Sequence, residues 1–183
     1  MNAIAATIAQ PFRRSNTPAK GNFDISVAQR YLIGAACFTM SFVCILAIGR
    51  ALLGFAPDLP HLSKLPIVIH VATVIPAIPL GGYLLLARKG TPRHKQLGKL
   101  WLVLMLVTAT SAIFIKSSGQ FSFIHIFIPL TFHASWKAVS TARKGDIAGH
   151  KRQLVITYLT ALMIPGIFAF ALPGRLMNVM LFG

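Results

Sequence analysis

Glutamate is absent from this chain of 183 residues, and aspartate occurs three times, as Asp24, Asp58 and Asp146. Chemistry that needs paired carboxylates as acid and base therefore has almost no material to work with. Charged residues of all kinds amount to 11% against 55% hydrophobic. An ordinary soluble domain carries about 25% charged residues, so a soluble single domain is excluded. Cysteine is scarce too. Cys37 and Cys44 lie in one apolar run, separated by about 10 Å of helical rise, and cannot pair with each other; they read as small packing residues of a first helix. There is no CxxC, no nucleophile beside a base and no phosphate-binding loop, which removes the hydrolase, kinase and P-loop transporter classes.

What the chain has is long apolar runs. Five are long enough to span a bilayer, at about 31–55, 65–87, 97–115, 121–139 and 154–172. Helices are the only answer, because backbone N–H and C=O groups in hydrocarbon must be satisfied within the segment, and these runs do not alternate as barrel strands do. The fold class expected is all-α integral membrane, with residues 1–28 a cytoplasmic arm and 29–183 one membrane domain. Ser63 stands where a cap for the second helix belongs, with Pro66 in its first turn. Trp101, Trp136, Tyr83 and Tyr158 read as an interfacial aromatic belt, and Arg50 as a side chain that snorkels from the end of helix one.

The net charge of +15 invites a nucleic-acid reading, but the cations lie between apolar runs, so no nucleic-acid partner is expected. Arg13, Arg14, Lys20 and Arg30 precede or open the first helix. Arg88, Lys89, Arg93, Lys95 and Lys99 occupy the second connection, and Lys137, Arg143, Lys144, Lys151 and Arg152 the fourth. Only Arg50, Lys64, Lys116 and Arg175 fall on the other side. The bias places the N-terminus in the cytoplasm and the C-terminus in the periplasm of a bacterial inner membrane.

An internal repeat is the most informative feature. Residues 87–90 and 142–145 both read ARKG, and each is followed by a short spacer and His-Lys, at His94-Lys95 and His150-Lys151. His70 precedes Ala87 by 17 residues, and His125 precedes Ala142 by 17. Two parallel hairpins, about 65–115 and 120–172, related by a pseudo-two-fold axis along the membrane normal, would make a four-helix bundle of helices two to five. His70 and His125 then share one depth near the outer face, while His94 and His150 share another near the cytoplasmic face, about 25 Å away along the axis.

Four ligands for one metal is therefore the wrong arrangement, and zinc, which takes about four in one place, does not suit either pair. Two neutral imidazoles facing each other across a bundle core do suit axial ligation of haem. Gly98, one turn beyond His94, makes room for a flat macrocycle, and Arg93, Lys95, Lys151 and Arg152 flank the inner pair where propionates would need cations. His133 is rotated about 80° from His125 and lies about 12 Å deeper, so it is a poor partner for the same metal. His61 reads as solvated in a Pro-rich external loop.

His70, Pro-Arg-His-Lys-Gln-Leu-Gly at 92–98, Phe-Ser-Phe-Ile-His at 121–125, Gly-Asp-Ile-Ala-Gly-His-Lys at 145–151 and Leu-Pro-Gly-Arg at 172–175 resemble an uncharacterised bacterial family of predicted integral membrane proteins, a domain of unknown function. The histidine plan is also similar to that of the two-haem transmembrane cytochrome b superfamily. By position that resemblance implies pairing of His70 with His125 and of His94 with His150, with one or two b haems. The chain differs from the superfamily in placing His94 and His150 close to the helix ends and in lacking a clear ascorbate motif.

The function expected is transmembrane electron transfer by a bis-histidine haem b protein, its redox partner a quinol or another membrane donor. One alternative is a non-catalytic subunit or scaffold of a larger inner-membrane complex. Another is a small quinone-binding or transport protein using His133 as a proton carrier.

Overall fold

The computed structural model describes residues 25–56, 58–116, 120 and 122–183. Among them the chain is all helical, without a strand. In order come α1 (Val27–Leu52), a 3-10 turn (Pro60–Ser63), α2 (Leu65–Leu86), α3 (Pro92–Ile113), a second 3-10 turn (Phe123–Ile126), α4 (Phe127–Arg143), α5 (Ile147–Thr157), a π-helical segment (Tyr158–Met163), α6 (Ile164–Ala171) and α7 (Leu176–Phe182). Among the described residues four stretches are long and apolar enough to cross a membrane: Val27–Leu52, Leu65–Leu86, Pro92–Ile113 and Ile147–Ala171. Most of the expected arm, residues 1–24, lies outside the described residues, and helix begins at Val27, within the arm's expected limit of 28.

Helices α3 and α5 begin earlier than their apolar runs, and the cause is capping. Thr91 accepts from the His94 amide at 3.1 Å with Pro92 opening the helix, and Asp146 accepts from the Gly149 amide at 2.8 Å. Each cap satisfies an amide that a helix start would otherwise leave orphaned. The basic segments expected as loops, 92–96 and 147–153, are thus first turns of helices. The expected fourth run is also displaced. It opens as the 3-10 turn and continues as the 17-residue α4, with Lys137 inside it. Lys64, not Ser63, is the residue preceding α2, and the Ser63 hydroxyl instead donates to the Pro60 carbonyl at 2.7 Å.

The repeat is visible in the backbone. Gly90 and Gly145 end the two ARKG turns at φ of 82° and 74°, a left-handed conformation that costs glycine nothing and other residues much. The caps Thr91 and Asp146 follow them directly. The single inserted residue therefore lies after the cap, in the first turn of α5.

Helix α2 packs along α3, α3 along α4 and α4 along α5; the π-helical segment returns to α2, and α1 lies against α2 and α7. Helix α1 buries only a stripe of Ile33, Met40, Cys44 and Ala47, leaving Phe38, Phe42 and Ile45 exposed. So much outward apolar surface is untenable in water and ordinary against lipid. Partial burial of Lys89 in the α2–α3 loop, and secondarily the charge of Arg30 near the start of α1, hold the Lys89 ammonium below the ordinary lysine range. At the far end of α1, Arg50 Nη2 donates to the Gly183 carbonyl at 3.2 Å and the Phe55 carbonyl at 3.4 Å, so it is pinned rather than snorkelling.

The centre is fastened through two glycines. Trp101 Nε1 donates to the Ala77 carbonyl at 2.9 Å, and the Tyr158 hydroxyl donates to the Ile78 carbonyl at 3.1 Å. Both rings are buried, at 3% and 0% exposure, so Trp101 and Tyr158 are internal fasteners and not members of an aromatic belt; Tyr83 and Trp136 are exposed. Cys37 sits beside them, its Sγ 3.9 Å from the same Ile78 carbonyl. A Cβ on Gly81 would lie 2.6 Å from Trp101 Nε1 and 2.7 Å from the Tyr158 ring, whereas one on Gly98 would meet nothing within 4 Å. Gly81→Ala is expected to lower unfolding stability in detergent by about 1–3 kcal/mol through overpacking. Gly98→Ala should leave it unchanged or raise it by up to about 1 kcal/mol, since alanine is the better helix former.

Candidate functional site

The structure brings His94 and His150 together. Both line a cavity of about 520 Å³ at the end of the molecule where the basic loops lie, with Gly81, Gly98, Trp101 and Leu154 among its walls. That volume falls within the range of about 300–1,000 Å³ usual for small-molecule sites. The two rings are near enough for a charge on one to act on the other. His150 Nδ1 lies 2.8 Å from the Ala138 carbonyl, and because a carbonyl only accepts, Nδ1 carries the proton. Its Nε2 is then a lone-pair nitrogen, held in orientation by a backbone bond as metal-bound histidines usually are. His94 is different: its Nδ1 is buried and has no hydrogen-bond partner. A buried nitrogen left so costs about 1–3 kcal/mol, which a bound group would offset.

Of the cations expected around this pair, only Lys95 lines the cavity; Arg93, Lys151 and Arg152 do not. Lys99 and Arg143 take their place. Lys99 is the residue four after Lys95 on one helix face, the same relation that puts Gly98 one turn beyond His94. Arg143 had no such signal in the sequence, because its position depends on how α4 meets α3.

His70 and His125 also line a common cavity, of about 440 Å³, at the opposite end. Their chemistry departs from the expectation. The Ser122 amide donates to His125 Nδ1 at 3.0 Å, so Nδ1 is an acceptor, and Nε2 must be the protonated nitrogen that donates to the Ile115 carbonyl at 3.0 Å. Both ring nitrogens are engaged in holding the 3-10 turn ahead of α4, and neither is left for iron. His70 Nδ1 lies 3.1 Å from the Thr108 carbonyl and 3.2 Å from Ser111 Oγ, which leaves its Nε2 lone pair unused. The two histidines thus line one cavity, with His125 bonded at both ring nitrogens and His70 at Nδ1.

His61 is half-buried. It donates from Nε2 to the Gly174 carbonyl at 3.0 Å, and its Nδ1 is buried without a partner. His133 is exposed on α4 with its ring 6.0 Å from that of Trp136, and it lines none of the cavities described here. No group of three or more His, Cys, Asp or Glu stands close enough to hold a metal ion among the described residues.

A family model described as a predicted membrane protein, DUF2306, matches residues 67–177, more than half of the chain. The chain belongs to the DUF2306 family. No curated protein and no solved structure matches it. The matched segment runs from the start of α2 to the start of α7, so this DUF2306 region contains the whole lining of the His94–His150 cavity and all but His61 and Lys64 of the other, and leaves α1 outside.

The hydrogen bonds separate structural from unengaged histidines. His125→Ala, which removes the bonds to Ser122 and Ile115, is expected to lower unfolding stability by about 1–3 kcal/mol. His94→Ala, which removes a buried nitrogen without a partner, should leave the ligand-free protein equally stable or slightly more so, as read by thermal unfolding in detergent.

Proposed function

We propose that the protein binds haem b between His94 and His150 and carries single electrons in the membrane. The observation that supports this reading best is the pair itself: two imidazoles from equivalent positions of the two repeat halves line one apolar-walled cavity, one with Nε2 free and oriented, the other without a bond to Nδ1. The donor set fits, since haem iron with two axial positions takes two neutral imidazoles. Lys95, Lys99 and Arg143 fit the propionates, and the open space at Gly98 fits a macrocycle face. When bound, haem supplies one-electron redox chemistry. The chain's own residues do the rest. The Ala138 carbonyl fixes the His150 tautomer, the apolar walls exclude water, and the three cations favour a dianionic ligand. One haem, not two, belongs to this reading, because the His125 ring is engaged within the protein.

The membrane arrangement we infer is five passes, with α4 and its preceding 3-10 turn as the shortest, the two repeat halves related by a pseudo-two-fold axis, and the haem cavity on the cytoplasmic side of a bacterial inner membrane. Its support is the cation distribution, with Arg30, Lys89, Lys95, Lys99 and Arg143 gathered at one end. A quinol or another membrane donor, acting at the apolar flank of the cavity, is the redox partner this placement favours.

Full-length protein expressed with adequate haem and purified in detergent is expected to show a Soret band and sharp visible bands on reduction with dithionite. His94→Ala and His150→Ala should each abolish the six-coordinate spectrum, whereas His125→Ala should keep it in the fraction that remains folded. Absence of any haem absorption in the unaltered protein would overturn the reading. For orientation, a periplasm-dependent phosphatase fused after Gly183 should be active, and the same reporter in the α2–α3 loop inactive.

A further inference from the structure

The cavity that His70 and His125 share continues into the bundle. His70, Ala112, Ile128, Ala169, Arg175 and Met177 are walls both of it and of a second cavity, of about 190 Å³, which runs inward among α1, α2, α3, α4 and α6. Most of the inner wall is apolar, with Met40, Val74, Ile78, Met105, Leu162 and Phe170 on it. An apolar cavity of about 150 Å³ stays free of water and takes up a benzene ring, so this one has room for a ring or a short length of chain.

The hydroxyls around His70 have committed their protons within the protein. Thr131 Oγ1 donates to the Phe127 carbonyl at 2.6 Å, and Ser111 Oγ to the Thr108 carbonyl at 2.8 Å. Thr73 Oγ1 donates to the Ile69 carbonyl at 2.9 Å, so in its 2.8 Å bond with Thr108 Oγ1 the Thr108 hydroxyl is the donor. His70 donates through Nδ1 to the Thr108 carbonyl, which makes Nε2 of the neutral ring a lone pair, and it has no partner among the described residues. Of the side chains that line the inner cavity, the weak thiol donor of Cys44 and the guanidinium of Arg175 are left with protons to give.

We propose that the inner cavity binds the apolar body of a neutral hydroxyl compound, an alcohol or a phenol, with its hydroxyl at His70. A hydroxyl both donates and accepts, so it gives its proton to Nε2 and accepts from Arg175, the other polar side chain that lines both cavities. An ether or a ketone has no proton for Nε2, and an ammonium would leave water to stand beside a guanidinium. Two sources share this chemistry. One is a small phenol or alcohol held in the inner cavity. The other is a lipid such as a monoacylglycerol, whose chain enters the inner cavity while its remaining hydroxyls reach Ser122 and the other polar walls of the outer one.

The test titrates the full chain in detergent with 4-(trifluoromethyl)phenol, observed by fluorine NMR. A saturable bound signal is expected, and the methyl ether of the same phenol should bind at least about tenfold more weakly, because it leaves a buried acceptor unpaired. His70→Phe, which keeps a ring and loses the lone pair, should bring phenol and ether to equal affinity. Ala112→Leu, which adds bulk where the two cavities join, should abolish the signal without lowering thermal stability. Phe38→Leu, on the exposed face of α1, should leave the signal unchanged. Displacement of the phenol by 1-decanoylglycerol assigns the site to a lipid, and its retention assigns the site to the small compound. The absence of a saturable signal, equal affinity of the unaltered chain for phenol and ether, or an unchanged signal in Ala112→Leu would overturn the proposal. The comparison of phenol with ether uses the unaltered chain, so it decides even where His70→Phe disturbs folding. None of these variants alters His94 or His150, so the result stands or falls separately from the redox reading.

Discussion

The structure turns on the close approach of α2 to two aromatic side chains. Pro76 and Pro79 stand within α2, each removing one donor from its hydrogen-bond ladder. The indole of Trp101 and the hydroxyl of Tyr158 bond to the carbonyls of Ala77 and Ile78 on that stretch, and they reach them only because Gly81 and Gly82 present no side chain. This fastening joins α2 to α3 and to the π-helical segment, closing the ring of helices. Gly81 and Trp101 are also walls of the cavity that holds His94 and His150, so the same contact that holds the helices together shapes the site.

The two ends of the molecule have separate chemistries despite their common repeat. At the basic end, two imidazoles with unengaged nitrogens face a mainly apolar space, an arrangement suited to a metal-centred macrocycle. At the other end the equivalent histidines have parted in role. His70 keeps a free nitrogen, while His125 has become a structural residue that bonds its own turn and the end of α3. Lys64, Lys116 and Arg175 line the cavity there, and Lys95, Lys99 and Arg143 line the one at the basic end. The two ARKG turns share a backbone form, with Gly90 and Gly145 in the same left-handed conformation, while the histidines that precede them, His70 and His125, bond differently.

Composition made the membrane class legible, and the repeat made legible the meeting of His94 with His150 and of His70 with His125. Both depend on patterns the chain carries locally. Helix starts were misjudged because apolarity was taken to begin the helix, whereas Thr91 with Pro92, and Asp146, begin α3 and α5 several residues earlier through capping. Of the cations near the inner pair, Arg93, Lys151 and Arg152 do not line the cavity, and Lys95, Lys99 and Arg143 do. The hydrogen bonds of His125 and His61 reach carbonyls 10 and 113 residues away, which no spacing rule could supply. Trp101 and Tyr158 looked like belt residues because depth can be read from sequence and direction cannot.

The central claim is that His94 and His150 together hold one iron. Electron paramagnetic resonance of the oxidised full-length protein, in membranes or detergent, tests it most directly. The account predicts a low-spin ferric signal of two axial imidazoles, which turns high-spin or disappears in His150→Ala and persists in His125→Ala. A low-spin signal that survives His150→Ala and vanishes in His125→Ala, or no ferric haem signal in the unaltered protein, would contradict it.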